Sequence, residues 1–451
     1  MKSWFKDGVL RAVLRNAGYL GSTKLIGAVL GLGALICAGR GMTTAEFGTL
    51  MLIHTYALGA GALTKFQSWQ MILRYGAPAL QRGDWKLPEA AIRFGFGLDI
   101  ASGTIGMTLA MIVLPFFGHW FGITQNHTLI ALAYCTLIPT MSCATPTGVL
   151  RLMDRFDLIA GQQIVTPLLR AVGAVVSWAF SLGFPFFVLS WYIADIMGDM
   201  ILWVLTAQEL RQHKMLKALR PSLIEAPTKL PGVWNFVWLT NLNTTLDACW
   251  SPVGNLIVGG MLGPSAAGLY KISSTLLDSA VKPARMLEKG FYPEIMRLDP
   301  SSRQPWQLAL RTGLLSGAIG LGVVLVILIG GQPFIGLFGP RYAAAATLMA
   351  IMSPALVISM TGFPLESLLY MAGRPKAVLI AQVISVTLYM GTLVIMAQTF
   401  GLYGAGIAYV AGTFLLTLLS LIPTILSYVR RQHIVSPTIA TAKGVPSSSG
   451  N

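Results

Sequence analysis

Apolar stretches of about 20 residues, the length a helix needs to cross a bilayer's hydrocarbon core, recur from one end of this chain to the other. The pattern predicts twelve spanning helices, near 16–37, 46–68, 94–116, 128–149, 160–181, 184–206, 233–259, 264–288, 308–332, 342–364, 375–399 and 401–428. The expected fold class is therefore an all-α polytopic membrane protein. The segments between the spans alternate between basic and nearly uncharged. With the N-terminus inside, 25 cations fall in the inner segments and only Arg40 and Arg341 in the outer loops. Basic loops resist translocation, so the asymmetry predicts that both termini are cytoplasmic. The remaining five of the 32 basic residues, Lys24, Lys65, Arg170, Lys271 and Lys282, lie inside expected spans.

Composition sharpens this picture. Only 11% of residues are charged and the mean hydropathy is +0.67, which excludes a soluble globular protein. A formal net charge of +15 can signal nucleic-acid binding, but here the cations follow the inside rule. A basic inner rim facing anionic membrane lipids accounts for them, and no nucleic-acid partner is expected. The four cysteines, Cys37, Cys135, Cys143 and Cys249, fall in apolar segments without metal-ligand spacing and read as small buried hydrophobes. There is no G-x-x-x-x-G-K-[ST] loop to hydrolyse ATP. The five histidines form no metal constellation, and no Ser/His/Asp or carboxylate pair sits in a loop. The chain reads as a non-enzyme, with no cofactor and no metal.

Five segments are expected. Residues 1–15 alternate Trp4, Phe5, Val9 and Leu10 with Lys2, Lys6 and Arg11, the spacing of an amphipathic helix on the cytoplasmic surface. An N-terminal six-helix bundle follows over 16–206, and a cytoplasmic linker helix over 207–231. A C-terminal six-helix bundle covers 232–430, and a Ser/Thr/Pro-rich tail, expected to be disordered, covers 431–451. The bundles echo each other at an offset of about 220 residues: Gly39–Gly48 after the first span resembles Gly259–Gly268 after the seventh, and Arg151–Phe156 resembles Tyr370–Pro375. Halves with six spans share an orientation, so the repeat is parallel, about an axis along the membrane normal. Gly27-x-x-x-Gly31 in the first span reads as a close helix-packing site.

Three stretches carry a more specific likeness. Asn235–Leu276, the GRGMTTAEFGTL segment after the first span and the GPRYAAAATLMAIMSP segment entering the tenth resemble the polysaccharide flippases. These are the lipid-linked oligosaccharide exporters of the multidrug/oligosaccharidyl-lipid/polysaccharide superfamily, and the likeness spans roughly residues 16 to 428. It implies a MATE-like fold of two six-helix bundles related by a pseudo-two-fold axis, working by alternating access.

Charges within the spans carry the functional argument, because an ionisable group there costs about 2.5–3.5 kcal/mol and normally faces the protein interior. On the eighth span Lys271, Asp278, Lys282, Arg285 and Lys289 fall on one helical face. One alternative is that Asp278 and Lys282 pair within that helix. Lys24 lies in a first span without acids, and Lys65 near the cytoplasmic end of the second, where it can also snorkel to the surface. The likeness to the lipid-II branch, whose functional cations lie on the first, second and eighth helices, implies that Lys24, Lys65, Lys271 and Lys282 bind an anionic cargo. Arg170 on the fifth span is within reach of Asp195 or Asp199 on the sixth, as a structural ion pair or a coupling group. The seventh span presents Asn243, Thr244 and Asp247, suited to sugar hydroxyls or to interhelical hydrogen bonds. Asp247 is also a candidate gate partner of Lys24.

The function expected from these residues is an inner-membrane flippase for a polyprenyl-pyrophosphate-linked oligosaccharide. An organic-cation antiporter on the same fold is the alternative, kept open by Asp99, Asp195, Asp199, Asp247 and Asp278. A glycosyltransferase or polymerase is disfavoured by the absence of a long outer loop. A scaffold associating with other polysaccharide assembly proteins is a further alternative.

Overall fold

A computed structural model describes residues 8–296, 298 and 302–441, and among them there are helices and turns and no strand. In chain order the helices are α1 (Gly8–Gly41), α2 (Thr44–Thr64), α3 (Ser68–Gln81), α4 (Lys86–Phe117), α5 (Gln125–Cys135), α6 (Ala144–Leu152), α7 (Phe156–Ala179) and α8 (Phe184–Gln212). They continue with α9 (Glu225–Thr228), α10 (Val233–Leu262), α11 (Pro264–Met296), α12 (Gln304–Gly336), α13 (Ala343–Met352), α14 (Pro354–Met371) and α15 (Pro375–Thr441). Among the described residues eight helical segments are long and apolar enough to cross a membrane. One of them, Lys376–Val429, has 54 residues. Straight, it would reach about 80 Å against a hydrocarbon core of about 30 Å. A non-helical Gly401 (φ 59°) divides it where the eleventh and twelfth spans were expected to meet.

Local chemistry sets the helix ends. A reciprocal cap opens α2: Glu46 N–H donates to Thr43 Oγ1 at 3.2 Å, and Thr43 N–H donates to Glu46 Oε2 at 2.9 Å. Gly183 at φ +80° turns the chain into α8, whose second position is Pro185.

The chain forms two compact units, one of α1–α10 with the start of α11 and the short segment Leu337–Arg341, the other of the remainder. In the first unit α1 runs along α7, with Gly27 against Pro167, whose Cγ lies 3.4 Å from where a Cβ would be. Gly31 meets nothing within 4 Å, so the expected two-glycine packing site reduces to Gly27. The echoed glycine segments meet one another. A Cβ on Gly48 would lie 1.7 Å from Pro264 O, one on Gly268 would lie 3.0 Å from Gly48 Cα, and Thr44 Oγ1 is 3.4 Å from Ser265 Oγ. Gly48 and Gly268 are 220 residues apart, so repeat partners touch each other. In the second unit Gly313 and Gly317 of α12 sit against Thr361 of α14, and the Tyr270 and Tyr389 hydroxyls lie 3.1 Å apart in the interior.

Several expected elements differ. Helix α1 is continuous from Gly8, with no separate surface helix ending at 15. The linker is no single helix. After α8 ends at Gln212 it holds one 3-10 turn, Leu216–Leu219, and the single turn α9. It is tied down by Ser222 N–H donating to Arg93 O and Tyr75 O–H donating to Pro231 O. Helix α15 continues to Thr441, so the expected tail is helical in part and its last ten residues lie outside those described. The compact units also place α10 with the first bundle, whereas the sequence division starts the second bundle at 232. Two expected spans are broken inside the first unit: 46–68 at residues 65–67, and 128–149 at residues 136–143.

Candidate functional site

The two breaks define the site. Non-helical backbone at membrane depth is tolerated where it is buried in protein or lines a cavity, because its polar groups need partners. Lys65 is extended (φ −68°, ψ 128°) between α2 and α3, and a chain of turns around Pro139 links α5 to α6. Both breaks place helix N-termini inside the unit, and one carboxylate, Asp99 of α4, joins them. Asp99 is 1% exposed. Ser68, the first residue of α3, donates from Oγ to Asp99 Oδ1 at 3.0 Å, and Thr145, the second residue of α6, donates from its backbone N–H to Oδ2 at 2.8 Å. The two hydroxyls lie 3.2 Å apart. Orphan N–H groups and the positive end of a helix dipole suit an anion, and here it is built in. Gly95, one turn before Asp99, admits this approach, since a Cβ there would sit 2.7 Å from Thr145 Oγ1.

A second knot joins four helices. Arg170 Nη2 of α7 donates to Asp195 Oδ1 of α8. His54 of α2 holds Nδ1 at 3.0 Å from the Tyr134 hydroxyl of α5 and 3.6 Å from Asp195 Oδ2. Its Nε2 faces Arg170 Nη2 at 3.4 Å. A guanidinium has no acceptor, so Nε2 must be the bare nitrogen and Nδ1 carries the proton of a neutral ring, a tautomer assigned from its partners. Tyr134 then donates to Asp195 Oδ2 at 3.4 Å. One helical turn further, Asp199 accepts from Thr140 Oγ1 at 3.4 Å, inside the second break. Beside the knot lies an apolar cavity of about 350 Å³, lined by residues including Ile130, Tyr134, Val188, Leu189 and Tyr192.

The sequence-predicted residues therefore separate. Arg170 and Asp195 meet directly, with Asp199 a turn away. Lys65 lies in the break between α2 and α3 and not within a helix. Lys24 is exposed on α1. Lys271 is half-buried and Lys282 exposed, both on α11 in the second unit, on one face with Asp278. Asn243, Thr244 and Asp247 lie on α10, and Arg285 and Lys289 on α11, but these five side chains fall outside those described. Sequence reasoning missed His54, Tyr134, Thr140 and the Ser68/Thr145 clamp. His54 carries one signal in the sequence, an ionisable side chain inside an apolar stretch, and Asp99, expected as a cavity acid, is tied to Ser68 and Thr145 instead.

No protein-family model matches the chain. A curated relative, the inner membrane protein YghQ of Escherichia coli (strain K12), is 44% identical over 350 residues, which are 77% of this chain and 99% of that protein. The chain belongs to the YghQ family. Among solved structures, an inward-facing multidrug resistance MATE family transporter of the MOP superfamily superposes with a TM-score of 0.72 at 12% identity, over 91% of this chain and 95% of that one. The lipid II flippase MurJ in an inward closed conformation gives 0.66 at 11%, over 95% and 93%. A MOP superfamily transporter from Pyrococcus furiosus gives 0.61 at 13%, over 93% and 95%. At these identities the likeness carries the fold, which is that of the MATE-like MOP transporters.

Proposed function

We propose that this protein is an inner-membrane flippase that moves a polyprenyl-pyrophosphate-linked oligosaccharide by alternating access, with both termini cytoplasmic. The name of its E. coli relative supports the compartment, and the shared fold of MATE transporters and MurJ supports alternating access. The fold alone leaves the sign of the cargo open, since the Pyrococcus transporter is described as having a binding pocket of reverse polarity.

The observation that carries an anionic cargo is Lys24. Helix α1 contains no acid over its whole length. Its exposed apolar arc is formed by Leu25, Ile26 and Val29. At about 100° per residue, Lys24 points about 140° away from Val29 and within about 20° of Gly31. Gly31 borders open space, and Lys24 is itself exposed. An ammonium turned away from the lipid arc serves the protein interior, where it neutralises a pyrophosphate at low dielectric. Lys271 and Lys282 extend the same chemistry on α11, and Asn243, Thr244 and Asp247 of α10 meet the sugars. Lys65, in the break between α2 and α3, is the fourth cation proposed to meet the anionic cargo.

The cation-antiporter alternative draws on the same acids, but Asp99 and Asp195 are committed to protein donors. Proteoliposomes carrying a fluorescent undecaprenyl-pyrophosphate oligosaccharide decide the matter. Lys24→Ala should slow flipping at least about tenfold while changing stability by less than about 0.5 kcal/mol, as for exposed sites. Lys24→Arg should retain part of the rate. Wild-type flipping by Lys24→Ala, or no flipping by the native protein beside uptake of an organic cation, overturns the proposal.

A further inference from the structure

The linker between α8 and α10, which lies wholly in the first unit, sorts its side chains into two rows. Met215, Ala218, Ala226 and Leu230 are buried in one core cluster with Ala90, Phe94 and Leu98 of α4. Lys214, Lys217, Arg220 and Lys229 are exposed. Interleaved with them are Leu216 at 45% exposure, Leu223 at 37% and Ile224 at 84%. The one acid between α8 and α10 is Glu225, and it lies 3.9 Å from Arg93 Nη2. We propose that residues 214–229 seat anionic phospholipid headgroups of the inner leaflet, with Ile224 dipping among the upper carbons of the chains.

Helix α4 sets the level of this segment. Arg93 Nε donates to Arg220 O at 3.3 Å, and Ser222 N–H donates to Arg93 O at 3.1 Å. A Cβ on Gly97 would lie 3.0 Å from Leu223 Cδ2. Arg93 is the last cation of α4, and the apolar span begins at residue 94. The tip of the linker is therefore held at the edge of the hydrocarbon core and not out in bulk water. Trp234 and Trp238, exposed at the start of α10, are the aromatic side chains that favour the headgroup level. A single exposed apolar side chain is ordinary on any protein surface. Three of them interleaved with four cations, at this level, have the composition of an interfacial segment. The sign of the headgroup follows from the charges, because the cations face outward and the only acid is held beside Arg93. An acidic protein segment would satisfy the cations but would not need Ile224 at the depth of the span.

The test needs no cargo and so stands apart from the flippase reading. In a background with Cys37, Cys135, Cys143 and Cys249 replaced by Ala, Ile224→Cys carries a polarity-sensitive nitrobenzoxadiazole probe. The protein is placed in nanodiscs of phosphatidylcholine, or of phosphatidylcholine with graded fractions of phosphatidylglycerol. Emission should brighten and shift to the blue as phosphatidylglycerol is added. Salt at about 1 M, where the screening length is about 3 Å, should reverse most of that change. Lys217→Gln should raise the phosphatidylglycerol fraction at half-change by up to about fivefold, the share of one surface cation. Lys214→Gln, Lys217→Gln and Arg220→Gln together should abolish the response. If the triple variant fails to accumulate, Lys217→Gln and the salt series decide by the same reading. Emission typical of water in every lipid would overturn the seat. Equal emission with and without phosphatidylglycerol would overturn its preference for anionic lipid. A blue shift produced by added polyglutamate, with none from phosphatidylglycerol, would replace the lipid by an acidic protein segment.

Discussion

Asp99 gives the most direct test of the broken-helix architecture. Replacing it with Ala removes the acceptor of the Thr145 N–H and of Ser68 Oγ. Ser68 can turn to Thr145 Oγ1, already 3.2 Å away, but the backbone N–H at the head of α6 has no such substitute. A hydrogen bond to a charged group is worth about 1.5–3 kcal/mol, and an orphaned buried donor adds a further penalty of about 1–3 kcal/mol. Asp99→Ala should thus cost about 3–5 kcal/mol. Asp99→Asn keeps an oxygen for Thr145 N–H and offers an N–H to Ser68, so it loses mainly the charge against the helix N-termini, about 1–2 kcal/mol. At about 2 °C per kcal/mol for a unit of this size, the apparent melting temperature should fall by about 6–10 °C for Ala and by less than half of that for Asn. Intrinsic fluorescence of the 11 tryptophans in detergent follows the transition. An Ala variant that melts within about 2 °C of the native protein, or an Asn variant as damaged as the Ala one, refutes the clamp.

Arg170→Ala leaves Asp195 to His54 and Tyr134 alone; since Arg170 is 23% exposed, the cost should be about 2–4 kcal/mol, near the lower end for a buried pair. Adding Asp195→Asn should restore most of the lost membrane abundance on a blot, and failure of the double variant to improve on the single one removes the ion pair from the account. Gly48→Ala drives a Cβ to 1.7 Å from Pro264 O, a backbone atom that cannot step aside, and should abolish accumulation. Gly31→Ala meets open space and should be neutral or stabilising by up to about 1 kcal/mol; equal expression of the two variants would contradict the packing of the repeat segments.

Where sequence reasoning succeeded, the controlling term was local or one-dimensional. Span length and apolar content answer to bilayer thickness, and Gly401 supplies a backbone that divides the long last segment. The 220-residue echo was legible because both copies must solve the same turn, and the structure adds that Gly48 and Gly268 meet. Placing Arg170 near Asp195 needed only the antiparallel arrangement of consecutive helices. The break at 65–67 was not legible, since Lys65-Phe66-Gln67 has no breaker, whereas 136–143 carried one signal, Pro139 among Thr136, Thr140 and Ser142. At the far side of each break Asp99 accepts from Ser68 Oγ and from the Thr145 N–H, a pairing across the unit that no local pattern encodes.

The sequence by itself determined a polytopic all-helical chain, its repeat, and which ionisable groups are too costly to face lipid, since these follow from transfer free energies summed along the chain. Only the tertiary structure decided which of those groups answer one another. It joined Asp99 to Ser68 and Thr145, gave His54 its tautomer between Arg170 and Tyr134, and turned Arg40 and Arg341 onto each other's segments. Such pairings depend on distances of about 3 Å between residues up to 299 apart in sequence, which no periodicity along the chain encodes.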